Sequence, residues 1–319
     1  MANFTACFPW PPLKTYIACS VDDTGRLCDP FVCAFTFWSS IIIAVLSPVA
    51  VAGNALILAA IWKKTFPRTP FHILLSGLAF TDLCTGLIAI PFVASKTLVF
   101  SANPGIAKEK PMLVLTIEAI GEVSATYSIA ITVFLITLTS VERWLHMSRR
   151  SLVTSRRGYF TVTALLLIPV PLVVLQYLDI VNENDGRELI TTIVTMMLLC
   201  YLTTAFAYFK VYQVIRRHQH NVRVCEPAQN IGRPGIDLAK YKRSVATILY
   251  ILSLFSLCFL PFVVSAGVYI SIGPSSAVYV VSNVSLSLLF LSSSLNPGLY
   301  LWRMKDIRYG VQKVLCSHR

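Results

Sequence analysis

Between Ser244 and Trp302 the chain carries no Asp, Glu, Lys or Arg. One membrane crossing takes roughly 20 apolar residues, so this stretch is too long for a single helix. Gly273-Pro274-Ser275-Ser276 divides it into two. Charge-poor runs of similar character lie earlier: Pro30 to Trp62, Phe71 to Ser95 (interrupted by Asp82), Val123 to Val141 (preceded by Glu118 and Glu122), Gly158 to Leu178, and Leu189 to Phe209. Seven spans are predicted, and the fold class is an all-α membrane protein built as a seven-helix bundle. Only 13% of the 319 residues are charged and 55% are hydrophobic, against about 25% charged in soluble domains.

Lys and Arg set the expected orientation. Of the 27, 21 lie after spans one, three, five and seven, which leaves 6 for the N-terminal segment and the other connections. The N-terminus is therefore expected outside and the tail in the cytoplasm of a multi-pass plasma-membrane protein. The formal charge of +12 then forms a cytoplasmic rim suited to anionic lipid and an acidic partner. No soluble basic domain is present to hold nucleic acid.

Three regions follow: an extracellular segment over 1–30, the seven-span domain over 31–303, and an amphipathic helix with a tail over 304–319. In the last, Ile307, Val311, Val314 and Leu315 share one face, as expected of a helix lying on the membrane surface. Cys316 ends it, either as a palmitoylation site or as an unmodified thiol. The first 30 residues lack a basic start followed by an apolar core, so no cleaved signal peptide is expected. Asn3-Phe4-Thr5 is a glycosylation sequon on the expected outside. Cys7, Cys19, Cys28 and Cys33 cluster at the same end, where disulfides can form, whereas Cys84, Cys200 and Cys258 fall within spans as small packing residues. The longest connection, roughly Arg216 to Lys240, contains Pro227, Gly232, Pro234 and Gly235 and is expected to be irregular.

Asn54, Asp82 and Asn296 are strongly polar residues inside apolar runs, and Glu142-Arg143 closes another. Such groups are costly in hydrocarbon and normally face the bundle interior, where they have a task. Pro261 and Pro297 each remove a helical hydrogen bond. Each is either a simple bend or a hinge for the end of its helix.

Five motifs in order carry a family resemblance: Gly53-Asn54-Ala55-Leu56, Leu78-Ala79-Phe80-Thr81-Asp82-Leu83, Glu142-Arg143-Trp144, Phe255 with Cys258-Phe259-Leu260-Pro261, and Asn296-Pro297-Gly298-Leu299-Tyr300. From about Pro30 to Cys316 the chain resembles a class A (rhodopsin-like) G-protein-coupled receptor. The resemblance implies an extracellular ligand, a heterotrimeric G protein, and arrestin and receptor kinase as further partners. It makes Glu142, Arg143, Tyr208, Asn296, Pro297 and Tyr300 the coupling switch, with Arg143 pairing with Glu142 at rest. It makes Phe255, Phe259 and Pro261 the helix-six switch. It gathers Asn54, Asp82, Thr132, Ser292 and Asn296 around an allosteric sodium ion; the alternative is a hydrogen-bonded cluster without an ion.

Departures from the family pattern narrow the branch. Phe259 replaces the usual Trp, Cys200 stands where helix five usually has Pro, and Tyr241 replaces the acid that locks the Arg in some relatives. The helix-three disulfide cannot form, because Glu118 occupies its position. These absences resemble the melanocortin, cannabinoid and lysophospholipid receptor cluster, while Gly86 to Phe92 also looks like adenosine receptors. Ala125 excludes a monoamine receptor and Phe290 excludes an opsin. Phe92, Glu118, Glu122, Ala125, Phe262 and Phe290 are the ligand-pocket candidates. Glu118 and Glu122, four apart on one helical face, match a melanocortin pair that holds calcium and a basic peptide side chain, although Phe92 replaces the third acid. Lys108 or Lys110 could instead neutralise them. A seven-span transporter or channel is the rival reading, but no repeat relates the two halves. No catalytic motif lies in any span, so an enzyme is not expected.

Overall fold

The computed structural model describes residues 30–63, 69–102, 110–148, 155–182, 187–224, 238–273 and 275–316. Asn3, Cys7, Cys19, Cys28 and Lys108 lie outside them, as do the side chains of Cys33, Tyr241 and Phe255.

Among the described residues every regular element is helical. In hydrocarbon no water can satisfy an open backbone, so an apolar run must close its own hydrogen bonds. Span one is Pro30–Trp62. Span two joins Pro70–Cys84, a π-helical stretch Thr85–Ala89 and Ile90–Ala102. Span three is Pro111–Met147, and span four is Ser155–Leu167 followed by Val170–Asn182. Spans five, six and seven are Arg187–Val224, Leu238–Ile272 and Ser276–Arg303. Six of these helices are long and apolar enough to cross a membrane; within span six the apolar stretch is Ser256–Ile272.

Local chemistry sets the ends. Thr69 caps span two by accepting from the His72 amide, with Pro70 in the first turn. Ser275 does the same for Val278 in span seven. Gly273, at φ 79°, supplies the left-handed turn between spans six and seven. Helices outrun the apolar segments where nothing breaks them. Span five continues to Val224, through residues expected to be irregular, because Arg, Gln and His tolerate helix and the first proline is Pro227.

Prolines inside the spans are accommodated by neighbours. Pro91 follows the π-helical stretch, whose wider turn relieves the clash of its ring with the preceding turn. Ser47 from span one donates to the Gly86 carbonyl there at 2.8 Å. Span four breaks at Ile168–Pro169, and beside the break the Tyr127 hydroxyl from span three donates to the Leu166 carbonyl at 2.9 Å.

Span one packs on spans two and seven; span three on two, four and five; and span six on five and seven. The larger core holds Leu74, Ile131, Leu135, Phe259 and Tyr300, and a smaller one holds Ile43, Ile90, Val93, Ala125 and Phe290. Glycines allow several close approaches between spans. A Cβ on Gly53 would lie 2.8 Å from Pro297 Cγ, and one on Gly121 would lie 3.3 Å from the Phe92 and Val93 backbone. The terminal helix, Lys305–Cys316, buries Ile307, Gly310 and Val311 against span one, while Leu315 faces out. Lys63 Nζ donates to the Lys313 carbonyl at its end.

Candidate functional site

Polar groups occupy three depths of the bundle. At mid-depth Asp82 is fully buried, and Asn296 Nδ2 donates to its Oδ2 at 2.7 Å. The Ser293 hydroxyl lies against the same carboxylate. Asn54 uses its amide hydrogens on the Ala50 carbonyl at 2.9 Å and the Ser293 carbonyl at 3.0 Å. The second contact has a backbone cause: Pro297, four residues on, has no N–H to offer Ser293. Asp82 Oδ1 and Asn54 Oδ1 are buried and accept no hydrogen bond among the described residues. Thr132 and Ser292 are buried, the Ser292 hydroxyl donating to the Leu289 carbonyl at 2.6 Å. An orphaned carboxylate oxygen and an orphaned amide oxygen are hard donors that fit a small monovalent cation such as sodium.

At one end of the bundle the Arg143 guanidinium lies 3.6 Å over the Phe71 ring of span two. This differs from the expected pairing with Glu142. Adjacent residues on a helix point in different directions. Glu142 is buried with Oε2 unpartnered, and no ion pair joins the two. Tyr208 is buried with its hydroxyl near Ser140 and within electrostatic reach of the Arg143 charge. The Tyr300 side chain is fully enclosed and its hydroxyl has no partner.

At the opposite end Lys96 Nζ lies 2.9 Å from Glu122 Oε1 and 3.5 Å from Glu118 Oε1. On sequence the apolar run of span two ends at Ser95, which places Lys96 in the connection. The helix continues to Ala102 and carries the ammonium back onto span three. Lys96 thereby pairs with the two glutamates; Lys110 is exposed, and Lys108 lies outside the described residues. The ammonium occupies the face of the two carboxylates on which a metal ion would sit. Calcium takes six to eight oxygens, whereas this cluster has two carboxylates already bridged by an ammonium. Among the described residues no group of three or more His, Cys, Asp or Glu gathers. Tyr279 of span seven lies within electrostatic reach of Lys96.

The other pocket candidates surround this level. Ala125 and Phe290 are buried together in the smaller core, Phe92 is half-buried, and its backbone meets Gly121. Phe262 packs against the larger core, which also encloses Phe259, and Pro261 stands within span six. Sequence reasoning overlooked Lys96, Phe71, Ser293 and Gln176. Lys96 had a visible signal, a lone cation at the end of an apolar run. Gln176 is fully buried in span four, and neither amide atom has a partner among the described residues.

The profile of the family described as "7 transmembrane receptor (rhodopsin family)" matches residues 53–300. A high-affinity lysophosphatidic acid receptor of Xenopus laevis is 25% identical over 309 residues, spanning 84% of this chain and 79% of the relative. Adenosine receptor A2b of Rattus norvegicus is 23% identical over 311 residues, spanning 86% and 88%. A human protein named probable G-protein coupled receptor 45 is 23% identical over 309 residues, spanning 84% and 79%. These relatives are receptors and not enzymes, and the motifs at Asn54, Asp82, Arg143 and Pro297 fall inside the matched region. The chain belongs to the rhodopsin family of seven-transmembrane, G-protein-coupled receptors.

Proposed function

We propose that the Lys96 end faces outside the cell and takes the ligand, and that the Arg143 end faces the cytoplasm and engages a heterotrimeric G protein, with arrestin and receptor kinase as later partners there. The reading rests on one observation above others. Arg143 is a permanent charge held on an aromatic face, with no carboxylate pair among the described residues, so a partner entering the bundle can recruit it without first breaking a salt bridge to them. Ligand binding then shifts a resting/active equilibrium through differential contacts in the two states. Pro261 and Pro297 are the points about which the Arg143 ends of spans six and seven swing. When sodium is bound, it adds positive charge beside Asp82. Asp82 and Asn54 would hold it with Thr132 and Ser292 as neighbours, which favours the compact resting arrangement.

Within the described cluster at the ligand mouth, Lys96, Glu118 and Glu122 sum to one negative charge. That favours a ligand with a cationic group, an amine or a basic peptide side chain, over a phosphate. The names of the relatives supply the second reading, a lysophospholipid or nucleoside, in which Lys96 would have to leave its glutamates to serve a phosphate. Nucleotide exchange by purified G protein on the reconstituted receptor tests the receptor reading. No acceleration in the presence of any cationic, lysophospholipid or nucleoside candidate, and none without ligand, would return the transporter alternative. Which candidate class raises exchange selects the ligand reading.

A further inference from the structure

At the Arg143 end of spans six and seven, Arg303 is enclosed by two aromatic rings. Its guanidinium carbon lies 4.8 Å from the centre of Tyr250 and 5.0 Å from that of Trp302. The two rings meet edge-on at 5.1 Å. Among the described residues no hydrogen bond or ion pair holds this guanidinium, and its buried Nε has no partner. Stacking covers part of its flat surface and leaves the N–H edge free. That edge is the part of arginine that grips a phosphate with two parallel hydrogen bonds.

The surroundings point outward into lipid. Tyr250 shares its helical stripe with Leu257, Leu260 and Val264, all exposed; Trp302 shares one with Leu295 and Gly298, also exposed. Those stripes are the faces that a bundle presents to hydrocarbon. Trp and Tyr at the end of such a stripe mark the headgroup level. Lys305 and Arg308 follow within the next turns, with Asp306 the one acid in between. Arg308 is already used, since its Nε and Nη2 donate to the Leu301 and Trp302 carbonyls at 3.0 and 2.6 Å. Lys305 is exposed, whereas Arg303 is walled by the two rings.

The geometry points to a binding site for the phosphate of an anionic phospholipid headgroup at Arg303, walled by Tyr250 and Trp302, between spans six and seven. The occupant is lipid because the walls continue the lipid-facing stripes. Its acyl chains would lie along Leu257 and Leu295. A headgroup seated there touches both spans, so it stabilises the arrangement in which their ends meet. The anionic leaflet of a plasma membrane is the cytoplasmic one, which is where the proposed orientation puts this site.

The full chain, reconstituted in nanodiscs of phosphatidylcholine with phosphatidylserine and analysed by native mass spectrometry, tests the site. Both leaflets are alike in such discs, so the result does not depend on which way the receptor faces in cells. Wild type should retain phosphatidylserine over phosphatidylcholine. Arg303→Gln should lower that retention roughly fivefold, the worth of one cation near an anionic surface, and Arg217→Gln on the exposed end of span five should not. Tyr250→Leu, which keeps the charge but removes a wall, should weaken it as well. Equal losses for Arg217→Gln and Arg303→Gln would mean general attraction to the basic rim and would overturn the site. A melting-temperature shift with inorganic phosphate in phosphatidylcholine discs as large as that with phosphatidylserine would mean a free-anion site. Unchanged retention in Arg303→Gln, with G-protein activation impaired in phosphatidylcholine alone, would reassign the residue to a protein contact.

Discussion

Lys96 Nζ stands 2.9 Å from Glu122 Oε1, joining span two to span three at the end of the bundle where a family disulfide is absent. The contact is mostly shielded, with side-chain exposures of 13% for Lys96 and 25% for Glu122. Breaking one partner of such a pair strands the other charge. Lys96→Met should therefore destabilise the purified receptor by about 3 kcal/mol, the lower end of the range for buried pairs. Combining Lys96→Glu with Glu122→Lys should recover most of the loss in a thermal melt. No recovery would show that Lys96 acts through packing alone.

Gly53 has no room for a methyl group, since a Cβ there would lie 2.8 and 2.9 Å from two Pro297 side-chain atoms. The proline ring is rigid and cannot yield. Gly53→Ala should cost about 1–3 kcal/mol through overpacking, whereas Gly298→Ala, with nothing within 4 Å, should be neutral or slightly stabilising in the helix. Equal melting temperatures for the two variants would contradict the contact between spans one and seven.

Asn54→Ala removes the donor that serves the Ser293 carbonyl. An unsatisfied buried group costs about 1–3 kcal/mol, and unfolding should report a loss in that range. Asp82→Asn keeps a hydrogen-bonding partner for Asn296 but removes the charge. Melting of the wild type should rise in sodium chloride relative to choline chloride, and this rise should vanish in Asp82→Asn. A persistent sodium effect in that variant would place the ion elsewhere.

Arg143→Ala should abolish G-protein nucleotide exchange while surface expression survives. Phe71→Leu should act in the opposite direction, because it removes a cation–π contact worth about 0.5–2 kcal/mol that holds Arg143 against span two. Basal exchange should rise up to severalfold. A fall in basal exchange with Phe71→Leu would mean that the stacked position is the productive one.

Replacing both mouth carboxylates, Glu118→Gln with Glu122→Gln, should lower the potency of a cationic agonist about a hundredfold in a cell-signalling assay. A charge contact near 4 Å is worth about 4 kcal/mol at an effective dielectric of 20 before desolvation. Unchanged potency would favour the lysophospholipid or nucleoside reading.

Hydropathy and the placement of polar residues are enough to read off the membrane-crossing helices and the residues that point inward. Apolar runs of this length have one way to satisfy their backbone in hydrocarbon, and Asn54, Asp82 and Asn296 could not face lipid. The family followed from the same residues in order. Partners were another matter. That Arg143 rests on Phe71 and not beside Glu142, that Asn54 serves a carbonyl freed by Pro297 more than two hundred residues away, and that Lys96 folds back onto two glutamates all depend on which faces of which helices meet. Hydropathy records how deep a segment lies and nothing of its rotation or its neighbours. Those are fixed by shape at the contacts, by Gly53 admitting Pro297 and Gly121 admitting the backbone at Phe92 and Val93, and they emerge when the helices pack.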